Sequence, residues 1–268
     1  MTHRLRLALS SALGASLFAL ASIIGLNPAH AAGASYVALG DSYSSGNGTR
    51  SYINDGTSCD RSTLAYPYLV AQSHGYALNF QACSGATTST VTSTQLSALS
   101  TGTRYVTMSV GGNDAGFSSV ITECAKPGWA SNCDGKIDTA TTFINNTLPG
   151  RLNTLYASIK SKAPNAKVVI VGYPRIFNGE DCNAATFFSP AEETRLNSTA
   201  DLMNSKMSAA ASAKGFSFAN PTSRFVGHAV CGDPEWINGL SNPTSDSYHP
   251  NKTGHASGYF PLVNPLLV

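Results

Sequence analysis

Apolar residues along the chain are grouped into five short runs that indicate β-strands. The runs lie at residues 36–40, 76–81, 105–110, 167–172 and 216–219. Run 167–172, Lys-Val-Val-Ile-Val-Gly, is almost continuously apolar, as expected for a parallel strand that is covered on both faces. Each run ends in a turn that is rich in small or polar residues, so each has the length of a single strand.

Helical spacing of apolar residues fills most of the intervals between these runs. It predicts helices over residues 64–73, 95–99, 138–162 and 190–214, and a last helix that follows residue 250 and ends at Pro261. Pro149 predicts a kink or a break in the long helix. Strands that alternate with helices predict an α/β fold, a three-layer α/β/α sandwich around a five-stranded parallel sheet of flavodoxin-like type.

The first 32 residues have the pattern of a secretory signal peptide. Arg4 and Arg6 precede an apolar run at residues 7–26, and Ala29-His30-Ala31 offers a cleavage site. A transmembrane anchor is the alternative, although serines dilute the run. We expect residues 33–268 to form a single domain, secreted and extracellular, and no later segment is apolar enough for stable membrane insertion.

Composition narrows the classes of partner. The chain has 268 residues, of which 42% are hydrophobic and only 12% charged, and its net charge is +2. One sizeable core can form from such a chain, and the absence of a basic stripe argues against nucleic acid as a partner. We expect a monomer.

Six cysteines follow the predicted cleavage site, namely Cys59, Cys83, Cys124, Cys133, Cys182 and Cys231. No pair has C-x-x-C spacing, so we expect no zinc site and no other metal. Export would supply the oxidising conditions for three disulfides. Fifteen pairings are possible; the simplest joins neighbours along the chain, 59 with 83, 124 with 133 and 182 with 231.

The turns that follow the strands carry side chains suited to acyl transfer. Ser42 follows the first strand, Gly85 the second, Asn113 the third and His249 the fifth. The carboxyl ends of parallel strands share one edge of a sheet, so these residues can meet there. An imidazole can activate a serine hydroxyl, and the N–H groups of Ser42 and Gly85 with the Asn113 amide can stabilise an oxyanion. Alternatively, Asp41 and Ser42 only cap a helix.

Four sequence blocks resemble those of the GDSL or SGNH hydrolases, and in particular the secreted Streptomyces-type lipases and esterases. They are Gly40-Asp41-Ser42-Tyr43, Gly85, Gly111-Gly112-Asn113-Asp114 and Asp246-Ser247-Tyr248-His249-Pro250. The resemblance implies Ser42 as nucleophile, His249 as general base and then acid, and Ser42, Gly85 and Asn113 as the oxyanion hole, with no cofactor. Tyr43 replaces the usual leucine of the family, a change expected to affect packing more than chemistry.

Two groups compete to orient His249. The Asp246 carboxylate is three residues away, and the alternative is that Asp246 only caps a turn. In some relatives of this branch a main-chain carbonyl two residues before the histidine does this, which here belongs to Ser247. We favour the Ser247 carbonyl.

The substrate remains open within the class of esters. An aromatic loop with Phe177, Phe187 and Phe188 follows the fourth strand and is a candidate wall for an acyl chain, so we favour fatty-acyl esters, with a lipid or other ester as partner. Phospholipase A1 and carbohydrate acetylesterase share the same catalytic set. Other classes are a non-catalytic binding module, which intact site residues disfavour, and a metal-dependent phosphoesterase, for which nearby ligands are few.

Several other side chains are interpreted as structural. We expect His255 to lie in the terminal helix, Asp114 to accept hydrogen bonds in its turn, and Trp129 and Trp236 to pack near disulfide loops.

Overall fold

Five parallel strands form one sheet in the computed structural model, which describes residues 33–268. The strands are β1 (Ser35–Gly40), β2 (Ala77–Phe80), β3 (Tyr105–Ser109), β4 (Lys167–Val171) and β5 (Ser217–Ala219). Their order across the sheet is β2-β1-β3-β4-β5, and every neighbouring pair is parallel. All five predicted strands are therefore present, and the central β1 and β3 place their carboxyl ends in the middle of one sheet edge.

Helices cover both faces of the sheet. One group consists of α4 (Phe117–Cys124), α5 (Cys133–Asn146), α6 (Leu148–Lys162) and α7 (Pro190–Ser212), which pack on one another. A second group pairs α2 (Tyr66–His74) with α8 (Phe260–Val263) and the π-helical turn Gly254–Tyr259 before it. The predicted three-layer α/β/α sandwich is confirmed. No helix within residues 33–268 has both the length and the hydropathy that crossing a bilayer requires.

Short helical turns occupy several of the connections. They are α1 (Ser42–Ser45), α3 (Thr88–Thr90) with the π-helical turn Val91–Gln95 and the 3-10 turn Leu96–Ala98, and further 3-10 turns at Gly128–Ala130, Thr244–Asp246 and Asn264–Leu266. The turn predicted at 95–99 therefore begins earlier, at Thr88, because the Thr87 hydroxyl caps it by accepting from the Thr90 N–H.

The helices differ from prediction at three points. The long helix begins earlier than expected, at Cys133. Its predicted break is confirmed: α5 and α6 meet at Thr147, and Pro149 lies in the first turn of α6, where a missing N–H costs nothing. For the same reason Pro261 does not end the last helix but lies in the first turn of α8. Helix α4 was not predicted.

Three disulfides stabilise the loops. They join Cys59 to Cys83, Cys124 to Cys133 and Cys182 to Cys231, the pairing of chain neighbours. The predicted signal peptide, residues 1–32, lies outside the described residues.

Candidate active site

Ser42 is the first residue of α1, immediately after the central strand β1. The Asp41 side chain caps this helix by accepting from the Tyr43 N–H at 3.1 Å. Gly40 makes the sharp exit from the strand possible: its φ is +122°, and a Cβ there would lie 2.4 Å from the Ser109 carbonyl oxygen. The capping role of Asp41 and the position of the Ser42 hydroxyl at the wall of a pocket are therefore compatible.

His249 contacts Ser42 directly, although the two residues are far apart in sequence. Its Nε2 lies 2.8 Å from Ser42 Oγ, and its Nδ1 lies 2.8 Å from the Ser247 carbonyl oxygen. A carbonyl can only accept, so the proton of the neutral ring is on Nδ1, and Nε2 accepts from the serine. The arrangement has the hydrogen-bond pattern that activates a serine nucleophile.

The pKa of His249 is set mainly by its surroundings of low polarity. Burial lowers the pKa of the imidazole to about 4, an effect that the Ser247 carbonyl and the Asp246 charge only partly offset. The ring is therefore neutral at physiological pH, as a base must be.

Asp246 is buried but its carboxylate is bonded to other groups. Oδ1 accepts a hydrogen bond from the Tyr52 hydroxyl, and Oδ2 lies 3.7 Å from Arg50 Nε. The Nδ1 of His249 is bonded instead to the main chain of Ser247. Of the two alternatives for orienting the histidine, the geometry favours the Ser247 carbonyl.

Each of the three expected oxyanion donors has a hydrogen that is left for a further acceptor. Within residues 33–268, the N–H groups of Ser42 and Gly85 donate to no other protein atom. Asn113 Nδ2 donates one hydrogen to the Ala86 carbonyl at 3.0 Å, which leaves its second hydrogen for another acceptor. Ser42 and Asn113 line the same pocket.

A disulfide and two main-chain hydrogen bonds hold the Gly85 turn beside the end of β1. Cys83 is bonded to Cys59, the Ser84 N–H donates to the Cys59 carbonyl at 3.0 Å, and the Cys83 N–H donates to the Gly40 carbonyl at 3.0 Å. Gly85 itself has a φ of +80°, in the left-handed region that favours glycine. These contacts fix the direction of the Gly85 N–H.

A buried network that sequence reasoning missed connects the two loops of the site. The Asp41 carboxylate accepts from Ser109 Oγ at 2.7 Å and from the Tyr173 hydroxyl, which in turn accepts from the Gly112 N–H at 3.2 Å. Burial raises the pKa of Asp41 to about 6, an effect that the Ser109 and Tyr173 hydrogen bonds reduce. Tyr173 thereby links the residue before Ser42 to the residue before Asn113.

Tyr43, the departure from the family pattern, has a larger role than packing. Its hydroxyl donates to the Tyr248 carbonyl at 2.7 Å, and its ring centroid lies 5.2 Å from that of His249. It therefore ties the nucleophile turn to the histidine segment. No sequence signal could have shown this contact, because its partner atom is a main-chain carbonyl 205 residues away.

An apolar pocket opens from Ser42 and Asn113 between α4, α5 and α7. Its walls come from three helices and from the segment after β4, with the apolar residues Phe117, Val120, Ile121, Ala140, Ile144, Ile176, Leu196, Ala200 and Met203. Apolar walls beside a nucleophile suit a hydrocarbon chain.

The aromatic loop does not line this pocket, and that expectation was wrong. Phe177 and Phe188 are buried against each other and against Tyr248, with ring centroids 4.8 Å to 5.9 Å apart, whereas Phe187 is exposed. Phe177 and Phe188 thus pack against Tyr248, the residue that precedes His249. The walls come from helices instead, among them α4, which the sequence pattern did not predict.

Four other side chains were expected to be structural, and three of them are buried or hydrogen-bonded within the protein. Asp114 accepts from Thr88, and buried His255 accepts from the Tyr66 N–H, so both are structural as expected. Trp236 is buried, but Trp129 is 90% exposed, so the packing role expected for Trp129 was wrong.

Comparison with known proteins shows which family this arrangement represents. The model of the GDSL-like Lipase/Acylhydrolase family matches residues 38–256, which include all four sequence blocks. A Streptomyces coelicolor protein named Lipase 1 is 43% identical over 256 residues, covering 94% of this chain and 93% of the relative.

Two solved structures share the fold at similar identity. The extracellular lipase of Streptomyces rimosus is 40% identical with a TM-score of 0.81, and phospholipase A1 of Streptomyces albidoflavus is 41% identical with a TM-score of 0.82. Each comparison covers 87% of this chain and 99% of the solved one. The chain belongs to the GDSL-like lipase/acylhydrolase family, in its Streptomyces-type lipase branch, and is a carboxylic ester hydrolase.

Proposed function

We propose that the chain cleaves fatty-acyl esters through an acyl-enzyme on Ser42, with His249 as general base and then acid. The observation that carries this proposal is the Ser42 Oγ to His249 Nε2 distance of 2.8 Å, with Nδ1 held by the Ser247 carbonyl. The ring is thereby fixed in the one tautomer that can accept the serine proton.

The first half of the reaction transfers the acyl group to the enzyme. Ser42 Oγ bonds to the ester carbonyl carbon while its proton moves to His249 Nε2, and the carbonyl oxygen becomes an oxyanion. The N–H groups of Ser42 and Gly85 and the Asn113 amide donate to that oxygen. The intermediate collapses when the carbon–oxygen bond to the alcohol breaks and the alcohol takes the proton from Nε2.

The second half releases the acid. Water gives a proton to His249 Nε2 and bonds to the acyl carbon, and the same three donors stabilise the new oxyanion. The bond to Ser42 Oγ then breaks, the serine regains its proton from Nε2, and the carboxylic acid leaves. No step needs a metal or a redox cofactor.

The acyl pocket supports a fatty-acyl chain over an acetyl group. Nine of its lining residues are apolar side chains from α4, α5, α7 and the segment after β4, more wall than a two-carbon acyl group can contact. The solved phospholipase A1 at 41% identity supports a second candidate, a glycerophospholipid ester, which would use the same catalytic set. Carbohydrate acetylesterase activity is the third.

We further propose that the enzyme is secreted as a monomer after removal of residues 1–32. The signal-like start of the sequence and three disulfides support this, because such bridges form in oxidising compartments.

The test of the mechanism is Ser42→Ala in the purified mature chain, together with labelling by an alkyl phosphonate. We expect kcat to fall about 10⁴-fold with unchanged circular dichroism, and the phosphonate to label wild type at Ser42 alone. Near-wild-type turnover by the folded variant would remove Ser42 from the mechanism. A panel of triglyceride, phospholipid and acetylated sugar then separates the three substrate classes.

A further inference from the structure

Exposed large apolar side chains are concentrated in the segments that follow the carboxyl ends of the strands, the edge of the sheet at which Ser42 lies. Among residues 33–268, seven such side chains are exposed, and six of them lie in segments that follow the carboxyl ends of strands. Tyr52 and Ile53 follow β1, Trp129 follows β3, Phe187 follows β4, and Val226 and Leu240 follow β5. The seventh, Val268, lies at the opposite edge, where its carbonyl accepts from Lys167 at the start of β4.

Helix α7 extends beyond the carboxyl edge of the sheet, the edge at which Ser42 lies. Helix α7 has 23 residues and is about 34 Å long, whereas β4 has five residues and spans about 17 Å. Since α7 ends at Ser212, just before β5 begins, its first half must extend beyond the carboxyl edge. Met203 marks the level of that edge, because its Sδ lies 3.9 Å from the position of a Cβ on Gly111.

Ion pairs place the start of α5 beside this extending half of α7. Arg195, eight residues before Met203, bonds to Asp134 and Asp138 in the first turns of α5. The 3-10 turn Gly128–Ala130, which carries Trp129, precedes α5 and follows α4. Trp129 therefore lies at the outer end of a hairpin whose two helices line the acyl pocket.

The hairpin is held firmly and its charges balance. Cys124, which ends α4, and Cys133, which begins α5, form a disulfide that closes the connecting loop, and the Asn132 N–H donates to the Glu123 carboxylate at 2.8 Å. Glu123 pairs with Lys126, and Arg195 of α7 pairs with both Asp134 and Asp138, so each of the three carboxylates of the hairpin has a cationic partner. Together with Lys136, these cations equal the carboxylates in number. The tip is thus a rigid, neutral support for one exposed indole.

We propose that this surface, defined by Trp129, Phe187, Leu240, Tyr52 and Ile53, docks the enzyme on a lipid–water interface of neutral headgroups, with Trp129 as the main anchor. The inference rests on the proposed fatty-acyl ester activity. An indole favours the boundary between headgroups and acyl chains. Docking there would place the mouth of the acyl pocket against the phase that contains the ester, and balanced charge removes any need for anionic lipid.

The test compares binding to vesicles with hydrolysis of a soluble ester. Trp236 is buried, so the emission difference between wild type and Trp129→Ala reports Trp129 alone. With neutral phosphatidylcholine vesicles we expect a blue shift of that emission. Trp129→Ala should bind the vesicles about tenfold more weakly while hydrolysing p-nitrophenyl acetate in solution like wild type.

Matched controls separate this surface from general surface apolarity. Leu240→Ser should weaken vesicle binding, whereas Val268→Ser, an exposed aliphatic residue at the opposite edge, should not. Equal effects of the two variants, or an unchanged Trp129 emission with undiminished binding by Trp129→Ala, would overturn the docking surface. Binding that requires phosphatidylglycerol and is lost in 0.5 M salt would overturn the neutral interface.

Other outcomes identify other occupants. If the wild type is a dimer by size-exclusion chromatography and Trp129→Ala is a monomer with unaltered vesicle binding, the patch is an interface between copies and the proposal is wrong. If wild type fails to hydrolyse even the soluble ester, the proposed function fails, and vesicle binding still decides the docking surface on its own.

Discussion

At the scale of single residues, the hydrogen-bond partners of His249 and Asp246 determine how the site can work. Ser247 offers a carbonyl where many serine hydrolases offer a carboxylate, and Asp246 is engaged by Tyr52 and Arg50. The imidazolium formed during reaction therefore has no carboxylate hydrogen-bonded to its Nδ1. In the proposed mechanism the oxyanion adds a second negative charge that can stabilise it, besides that of Asp246.

The first prediction at this scale concerns Asp246→Asn. We expect kcat to fall less than tenfold, because the amide oxygen still accepts from Tyr52 and the Ser247 carbonyl still holds His249. Steady-state kinetics on a soluble ester measure the change, and Tyr52→Phe, which keeps the carboxylate, should have a similarly small effect. A loss beyond about a thousandfold, the scale of a lost triad carboxylate, would transfer the orienting role to Asp246.

The second prediction concerns pH. His249 must be neutral to accept the serine proton, and its pKa is lowered from 6.5 to about 4, so activity is retained below pH 6 and lost as pH falls through about 4. The measurement is kcat/KM between pH 3.5 and 8, with circular dichroism as the control for folding.

Asp41, with a pKa raised to about 6, could add a second inflection. Asp41→Asn separates the two groups, since an inflection that belongs to Asp41 disappears in this variant. A half-maximal value near pH 6.5 that persists in Asp41→Asn would contradict the lowered histidine pKa.

At the scale of elements, the sequence was most informative where burial imposes a simple pattern. The five strands were predictable because parallel strands covered on both faces are short apolar runs. The nucleophile turn and its partners were predictable because they follow those strands. Helix α4 was not, because its sequence, Phe-Ser-Ser-Val-Ile-Thr-Glu-Cys, is short and rich in β-branched and hydroxyl residues of modest helix propensity. Its contacts with α5 and its disulfide determine its structure.

The lack of a local sequence signal also explains why the wall of the acyl pocket was predicted wrongly. Aromatic residues in a loop gave a visible signal, whereas Leu196, Ala200 and Met203 are ordinary positions of the long helix α7. Their side chains line a pocket only because α4 and α5 pack beside α7 in the folded protein. Contacts such as that of Tyr43 with Tyr248 are likewise tertiary and have no local signature.

The prediction at this scale concerns Ala200→Phe in α7. The larger side chain should fill part of the acyl pocket and lower kcat/KM for p-nitrophenyl octanoate about tenfold relative to the acetate, since a few methylene contacts are worth that much. Ala209→Phe, an exposed position of the same helix outside the pocket, is the control and should leave the ratio unchanged. An unchanged ratio in Ala200→Phe would show that the acyl chain lies elsewhere.

At the scale of the whole molecule, disulfides bridge loops of different length around one core. The Cys124–Cys133 bridge spans 9 residues and the Cys182–Cys231 bridge spans 49. A longer loop loses more freedom in the unfolded chain when it is closed, so the second bridge should contribute more to the free energy of unfolding.

The prediction at this scale is that replacing both cysteines of a pair by alanine lowers the free energy of unfolding by about 2.5 kcal/mol for the shorter loop and about 4 kcal/mol for the longer one. Urea denaturation of each double variant measures the difference. Titration of the denatured, unreduced wild type should find no free thiol. The opposite order of the two losses would mean that native-state contacts outweigh loop length.

The proposed catalytic pair joins distant segments, since Ser42 and His249 are 207 residues apart in sequence. A fragment that ends before His249 would keep Ser42, Gly85 and Asn113 but would lack the imidazole that the proposed mechanism requires. The proposed catalysis therefore requires that folding bring two distant segments together. Turnover of a chromogenic ester can serve as a direct reporter that Ser42 and His249 have reached hydrogen-bonding distance.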